Sequence, residues 1–195
     1  MSTPPATAPA RRPAETPSVI PHASASVIRP ATVADAGAIA DIHNQGIAAR
    51  SATFDTEPRV AADVAAKLAA QGRHPVLVAV DGDGRVLGWA GLGDYRPRAC
   101  YAGIAEFSVY LDRDARGRGL GRALLAALVE AARGLGYWKL VSRVFTFNTA
   151  SLAMCRACGF REVGVYEKHG RLDGRWLDVV IVERLIEDAS AEVAA

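Results

Sequence analysis

Apolar and polar positions along the chain follow two periods. Val27 to Arg29 is a short β-type run, and Thr32 reads as a helix N-cap whose hydroxyl faces the free N–H groups ahead of Ala34-Asp35. Ile39, Ile42, His43, Gly46 and Ile47 then recur at helical spacing, predicting a helix to near Arg50. A polar, Thr-rich stretch stopped by Pro58 separates it from a second predicted helix, about Val60 to Gln71, with Val64 and Leu68 on one face. Pro75 to Val80 is continuously apolar, Asp81-Gly82-Asp83-Gly84 is a hairpin turn signal, and Val86 to Gly93 is the returning strand. Ile104 to Leu111 is the next strand. Leu120, Leu124, Leu128 and Leu135 mark the sheet-facing stripe of a helix ending near Gly134 to Gly136. Lys139 to Phe145 reads as a strand and Asn148 opens a helix that Gly159-Phe160 closes. Arg161 to Lys168 and Trp176 to Leu185 are strands around a Gly170 to Gly174 turn region. The order β-α-α-β-β-β-α-β-α-β-β predicts an α/β (α+β) domain whose mixed sheet carries helices on both faces.

Ahead of this pattern, residues 1–26 are rich in Pro, Ala, Ser and Thr without a continuous apolar core, predicting a disordered tail rather than a secretory signal. One domain is expected over 27–186, followed by a flexible tail over 187–195. No apolar run approaches the roughly 18 residues of a membrane span, so a cytoplasmic protein is expected. Net charge is only +2, and the basic residues are not interleaved with aromatics along an extended face, which argues against nucleic acid as a partner. The three cysteines, Cys100, Cys155 and Cys158, leave an odd one, and a single Cys-x-x-Cys with no histidine nearby reads as reduced packing residues. His22, His43, His74 and His169 lack metal-ligand spacing, and no metal is expected.

Candidate chemistry centres on Arg116-Gly117-Arg118-Gly119-Leu120-Gly121, between a strand and a helix. Glycines there let backbone N–H groups approach an anion, and the helix start adds unpaired donors. A P-loop would need a Lys after its last glycine, and a dinucleotide fingerprint would need glycine where Arg122 stands. An Arg/Gly-rich surface turn capping an ordinary helix is the bland alternative. Glu106 stands in an otherwise apolar strand, IAEFSVYL, as a candidate general base or as the partner of an arginine. Phe54 is the one large aromatic in its loop, forming a site wall or packing inward. Tyr95-Arg96-Pro97-Arg98 and Tyr101 make a cationic aromatic loop, either a binding wall or a solvated turn.

Arg116-x-x-Gly119-x-Gly121 resembles the acetyl-CoA pyrophosphate loop of the GNAT superfamily of N-acyltransferases. Asn148-x-x-Ser151-x-x-x-Cys155-x-x-x-Gly159-Phe160 matches a second signature of that superfamily. The resemblance covers roughly residues 27 to 186 and implies a GNAT fold, with a mostly antiparallel, splayed sheet. Ala52-Thr53-Phe54-x-Thr56-x-Pro58, Glu106-x-x-Val109-Tyr110 and Trp176-x-Asp178-Val179 look like the phosphinothricin N-acetyltransferase branch, and Tyr95-Arg96-Pro97-Arg98 is similar to its arsinothricin-resistance relatives.

The resemblance implies acetyl transfer from acetyl-CoA to the α-amino group of a small acidic amino acid. Glu106 would then be the base, acting through water. Backbone N–H groups of Val109, Tyr110 and Leu111 would polarise the thioester carbonyl. Arg116, Gly117, Arg118, Gly119, Leu120 and Gly121 would hold the pyrophosphate, with Arg122 a further contact and Asn148 and Ser151 on the pantetheine arm. Phe54, Tyr95, Arg96 and Arg98 would bind the substrate. Methionine sulfone-type amino acids, other small amines and a non-catalytic acetyl-CoA-binding module are the alternatives. A homodimer is typical of this branch. Cys155 stands where many members carry a tyrosine general acid. Asp173 stands where the phosphinothricin enzymes carry a last-turn histidine, which His169 replaces only if the turn folds back.

Overall fold

The Asp81–Gly84 signal folds as a hairpin turn: the Asp81 carboxylate accepts the N–H groups of Asp83 (3.1 Å) and Arg85 (2.9 Å), and Gly84 takes a φ of 80°. In this computed structural model, which describes residues 21–22, 26–70 and 72–186, the turn joins β3 (Val76–Val80) to β4 (Val86–Asp94). The other strands are β1 (Pro21–His22), β2 (Ser26–Pro30), β5 (Ile104–Leu111), β6 (Lys139–Phe145), β7 (Arg161–Leu172) and β8 (Arg175–Leu185). The helices are α1 (Ala36–Ala48), α2 (Ala61–Ala69), α3 (Leu120–Gly134) and α4 (Thr149–Ala157). The sheet runs β1-β2-β3-β4-β5-β6-β8-β7, and β5–β6 is its parallel pair. That is the expected mixed, mostly antiparallel sheet.

Alternation along the strands sends side chains to two cores. Leu77 and Ala79 join the larger one under α3 and α4, with Leu124, Leu125, Leu128 and Leu140 fully buried. Val78, Val80 and Trp89 face α1 and α2 with Ile39, Ile42 and Leu68. Among the described residues, no helix is long and apolar enough to cross a membrane.

Several expectations change in detail. Leu135 leaves the α3 stripe, 40% exposed at the helix end, and Ala132 takes the buried position one turn earlier. Thr32 is an N-cap as expected, of a single 3-10 turn (Val33–Asp35) ahead of α1, and Asp35 closes the capping box: its carboxylate accepts the Thr32 hydroxyl (3.0 Å), the Thr32 N–H (2.7 Å) and the Arg29 guanidinium. Arg29 and then burial act in opposite directions on Asp35, and Arg29 wins, holding its carboxyl down to about 2. The second helix ends at Ala69, and Gln71 lies outside the described residues. Within the expected tail, Pro21–His22 pairs with Val27 and Ser26, so strand pairing begins earlier than read; the rest of 1–25, and 187–195, lie outside the described residues. β7 continues to Leu172, and the turn narrows to Asp173-Gly174, both at positive φ.

Candidate active site

The parallel β5–β6 pair is short. It holds Ile104 to Lys139, Ala105 to Leu140 and Glu106 to Val141, after which the strands part. β6 stays with β8 as far as Phe145, and β5 stays with β4 as far as Leu111. The Ser142 hydroxyl donates to the Phe107 carbonyl (2.9 Å) at the fork. Beyond it, one edge of β5 from Ser108 onward has no strand partner, so its backbone donors and acceptors face a cleft of about 450 Å³. Val109, Tyr110, Asn148, Ser151, Met154 and Cys155 line this cleft, and Glu106, Arg143, Phe54 and His169 mark its other end.

β5 leads through Asp112, whose carboxylate accepts the Asp114 N–H (3.0 Å), to the glycine loop. Gly117 and Gly119 take φ values of 75° and 78°, and Gly119 is the left-handed N-cap of α3. A left-handed cap turns the first N–H groups of α3 outward, which is the requirement for an anion cradle at a helix start. Gly121 is needed for another reason: a Cβ there would lie 2.9 Å from the Met154 sulfur, so α3 and α4 approach closely at this residue. Unpaired N–H groups at a helix start are what a diphosphate requires, and an unpaired strand edge is what an extended amide-bearing chain requires. Leu111 ends β5 and Arg116 to Leu120 lead from the loop into α3, and none of them lines the cleft wall. Arg122 turns to a separate, more open cavity of about 730 Å³ between α3 and the ends of α4 and β8. That cavity lies away from the fork, and its one carboxylate, Glu183, is held by Lys139 and Arg161.

Asn148 lines the cleft with both ends of its amide engaged. Its oxygen accepts the Ser151 N–H (3.1 Å), capping α4, and its nitrogen donates to the Ser51 carbonyl (2.9 Å). The 51–59 loop is tied down again from α1. Asn44 exchanges two hydrogen bonds with the Arg59 backbone (2.8 and 2.9 Å), and buried His43 sits 3.0 Å from the Asp55 carboxylate, which also meets the Arg59 guanidinium (3.1 Å). Burial first, then the Arg59 charge, pull the His43 pKa down, so the ring is neutral and donates from Nε2. Its Nδ1 and the Trp89 Nε1 have no protein partner among the described residues. Tyr110 fills the space between, 4.6 Å from His43 and 5.0 Å from Trp89 between ring centroids, so it serves the cleft through its backbone.

This tethering holds Phe54 against Phe145, edge to face at 4.8 Å, and 6.3 Å from His169. A bulge between Tyr166 and Gly170, with Lys168 at φ 47°, swings His169 to the cleft without the turn folding back. Asp173 is instead paired with Arg50 (2.8 Å).

Glu106 has the arginine partner that its sequence setting left open. It is 27% exposed, and the Arg143 guanidinium holds it through Nε (3.1 Å) and Nη2 (2.5 Å) on Oε1 and through a further contact to Oε2. The hydrogen bond to Glu106 raises the Arg143 pKa further. Sequence reading missed Arg143, although an arginine inside the apolar run KLVSRVF, on a strand joined to β5 by one helix, was the available signal. Tyr95 and Tyr166 lie within electrostatic range of Arg143. Arg96 and Arg98 are not brought into the cleft wall. They are exposed and stack on Tyr95 (5.3 Å) and Tyr101 (5.8 Å).

A sheet that forks beside a glycine-capped helix start, with a carboxylate at the apex, is the arrangement that the GNAT resemblance implied for an acyltransferase using a coenzyme A thioester. Residues 41–160 match the acetyltransferase (GNAT) family. The chain is 39% identical over 158 residues to an L-methionine sulfoximine/L-methionine sulfone acetyltransferase of Pseudomonas paraeruginosa, spanning 80% of this chain and 92% of that protein. It is 37% identical over 153 residues to a phosphinothricin N-acetyltransferase of Alcaligenes faecalis, spanning 77% of each. A GNAT superfamily phosphinothricin acetyltransferase from Sinorhizobium meliloti, solved in complex with acetyl-CoA, superposes with a TM-score of 0.78 at 32% identity, over 83% of this chain and 88% of that one. The chain belongs to the GNAT family, and it is an acetyl-CoA-dependent N-acetyltransferase.

Cys155 is 1% exposed, and burial pushes its thiol up to about 12. So weak an acid is a poor proton donor to a departing thiolate. Cys155→Ala is therefore expected to change kcat by less than about threefold, measured by thiol release at saturating substrate.

Proposed function

We propose that this enzyme acetylates the α-amino group of a small acidic or sulfone-bearing amino acid, with phosphinothricin, arsinothricin and methionine sulfone as the candidate substrates. It would thereby detoxify such compounds in the cytoplasm and confer resistance to them. The observation that carries this reading is the Glu106–Arg143 pair at the apex of the fork, facing an aromatic wall of Phe54 and Phe145.

Acetyl-CoA supplies the acetyl group as an activated thioester. Arg116 to Gly121 would hold its pyrophosphate and the free edge of β5 its pantetheine arm, with Asn148 and Ser151 beside it. An α-ammonium is protonated at neutral pH and cannot attack until it loses a proton. Glu106 accepts that proton, directly or through water, and the neutral nitrogen is then competent. N–H groups of Val109 to Leu111 on the unpaired edge would polarise the carbonyl under attack; as the C–N bond forms and the C–S bond breaks, the thiolate would leave and take up, through water, the second proton that the nitrogen sheds. Phe54 is a substrate wall, and Tyr95, Arg96 and Arg98 form an outer rim that would meet the acidic side-chain end. Two copies would form a homodimer, for which the exposed Val163, Val165 and Tyr166 on edge strand β7 are the candidate surface.

The test is thiol release from acetyl-CoA across phosphinothricin, arsinothricin, methionine sulfone and a polyamine. Preference for one of the amino acids is expected. Preference for the polyamine would overturn the reading.

A further inference from the structure

We infer that Arg143 is the residue that makes this enzyme select α-amino acids over plain amines, by receiving the substrate's α-carboxylate. Glu106 and Arg143 sit side by side on neighbouring strands: Glu106 is in the last register pair, with Val141, and Arg143 stands two residues further along β6, where β5 and β6 separate. Among the described residues, Arg143 hydrogen-bonds to Glu106 alone, and its side chain is 48% exposed. A guanidinium has five N–H donors, so this pairing leaves donors unused, and the Glu106 oxygens have spare lone pairs. Half-exposed ion pairs are weakly held, so an incoming ligand can exchange with this one.

The ligand that matches two opposite charges at hydrogen-bond separation is one that carries two opposite charges on groups bonded to a single carbon. An α-amino acid zwitterion does so. Its ammonium can take the place of the guanidinium on Glu106 while its carboxylate takes the place of Glu106 on Arg143, replacing one ion pair with two. An amine without a carboxylate would displace Arg143 and leave the guanidinium to water, exchanging one ion pair for one where the zwitterion gains two. The same exchange frees Glu106 from Arg143 when the proper substrate arrives.

The other cations nearby are spent. Arg59 is bound to Asp55 and Arg50 to Asp173, and Arg96 and Arg98 lie outside the cleft wall. Arg143 thus takes the α-carboxylate, and the 96–98 loop is left for the distal side-chain group.

This inference rests on the amino-acid reading above, and one experiment separates the two. Compare kcat/KM for L-methionine sulfone and for its decarboxylated analogue, 3-(methylsulfonyl)propylamine, in the wild type, R143M and R143K. The wild type is expected to prefer the amino acid about 100-fold or more, and R143M to reduce that ratio at least about thirtyfold, as for a site that loses a designed polar partner. R143K, which keeps charge without the planar fork, is expected to fall between, and it serves in place of R143M if that variant does not fold. A wild type active on the amino acid whose ratio survives in R143M, or in R143K should that be the folded variant, overturns the Arg143 assignment alone. A wild type that acetylates neither compound, nor any amino acid of the panel, overturns the substrate reading beneath it.

Discussion

Replacing Glu106 by glutamine is expected to lower kcat about 100-fold or more, the range in which a positioned general base contributes, while acetyl-CoA binding stays within about twofold by calorimetry. The reason is positional. Glu106 is the last residue of β5 paired to β6, so its side chain is held by sheet register at the apex of the cleft, while the unpaired edge of β5 begins two residues later. Glutamine keeps the shape and cannot accept the ammonium proton. If Glu106 served only to pair Arg143, losing an exposed ion pair would cost about 0–1 kcal/mol of stability and leave kcat near wild type. Unchanged turnover with a lowered melting temperature would therefore remove the base assignment.

Gly119→Val should have the opposite signature. Its left-handed φ of 78° is costly for a β-branched residue, about 1–2 kcal/mol or more, and the chain can relieve that only by rotating the helix start. Nothing lies within 4 Å of a Cβ at this position, so the penalty is conformational and not a clash. Rotation would redirect the N–H groups of the first turn, and acetyl-CoA is expected to bind at least about thirtyfold more weakly, matching the roughly 2 kcal/mol available at a favourable helix N-terminus. Because α3 is anchored through Leu124, Leu125 and Leu128, all fully buried, the domain should remain folded. Wild-type affinity in a folded Gly119→Val protein would show that the loop does not cradle the phosphates.

Much of this was legible without coordinates. Element order follows from periodicity and turn chemistry within windows of ten or so residues, and Asp81–Gly84 and Asn148 each announce a turn or a cap through their own backbone needs. The glycine loop is equally local: its positive φ angles require glycine whatever surrounds them. Leu135 was misread because a leucine stripe records apolarity and says nothing of where the helix leaves the sheet.

The two ends of the site divide along the same line. Sequence alone laid out the proposed cosubstrate end, since a strand, a glycine-rich cap and a helix are consecutive in the chain and their geometry is set by neighbouring residues. Tertiary structure alone assembled the proposed substrate end. Arg143 meets Glu106 across 37 residues through the β5–β6 register, and a bulge in β7 brings His169 beside Phe54, more than a hundred residues away in sequence. Such meetings depend on which strands pair, where they part and how a strand kinks, and these are outcomes of packing the whole sheet between two layers of helices.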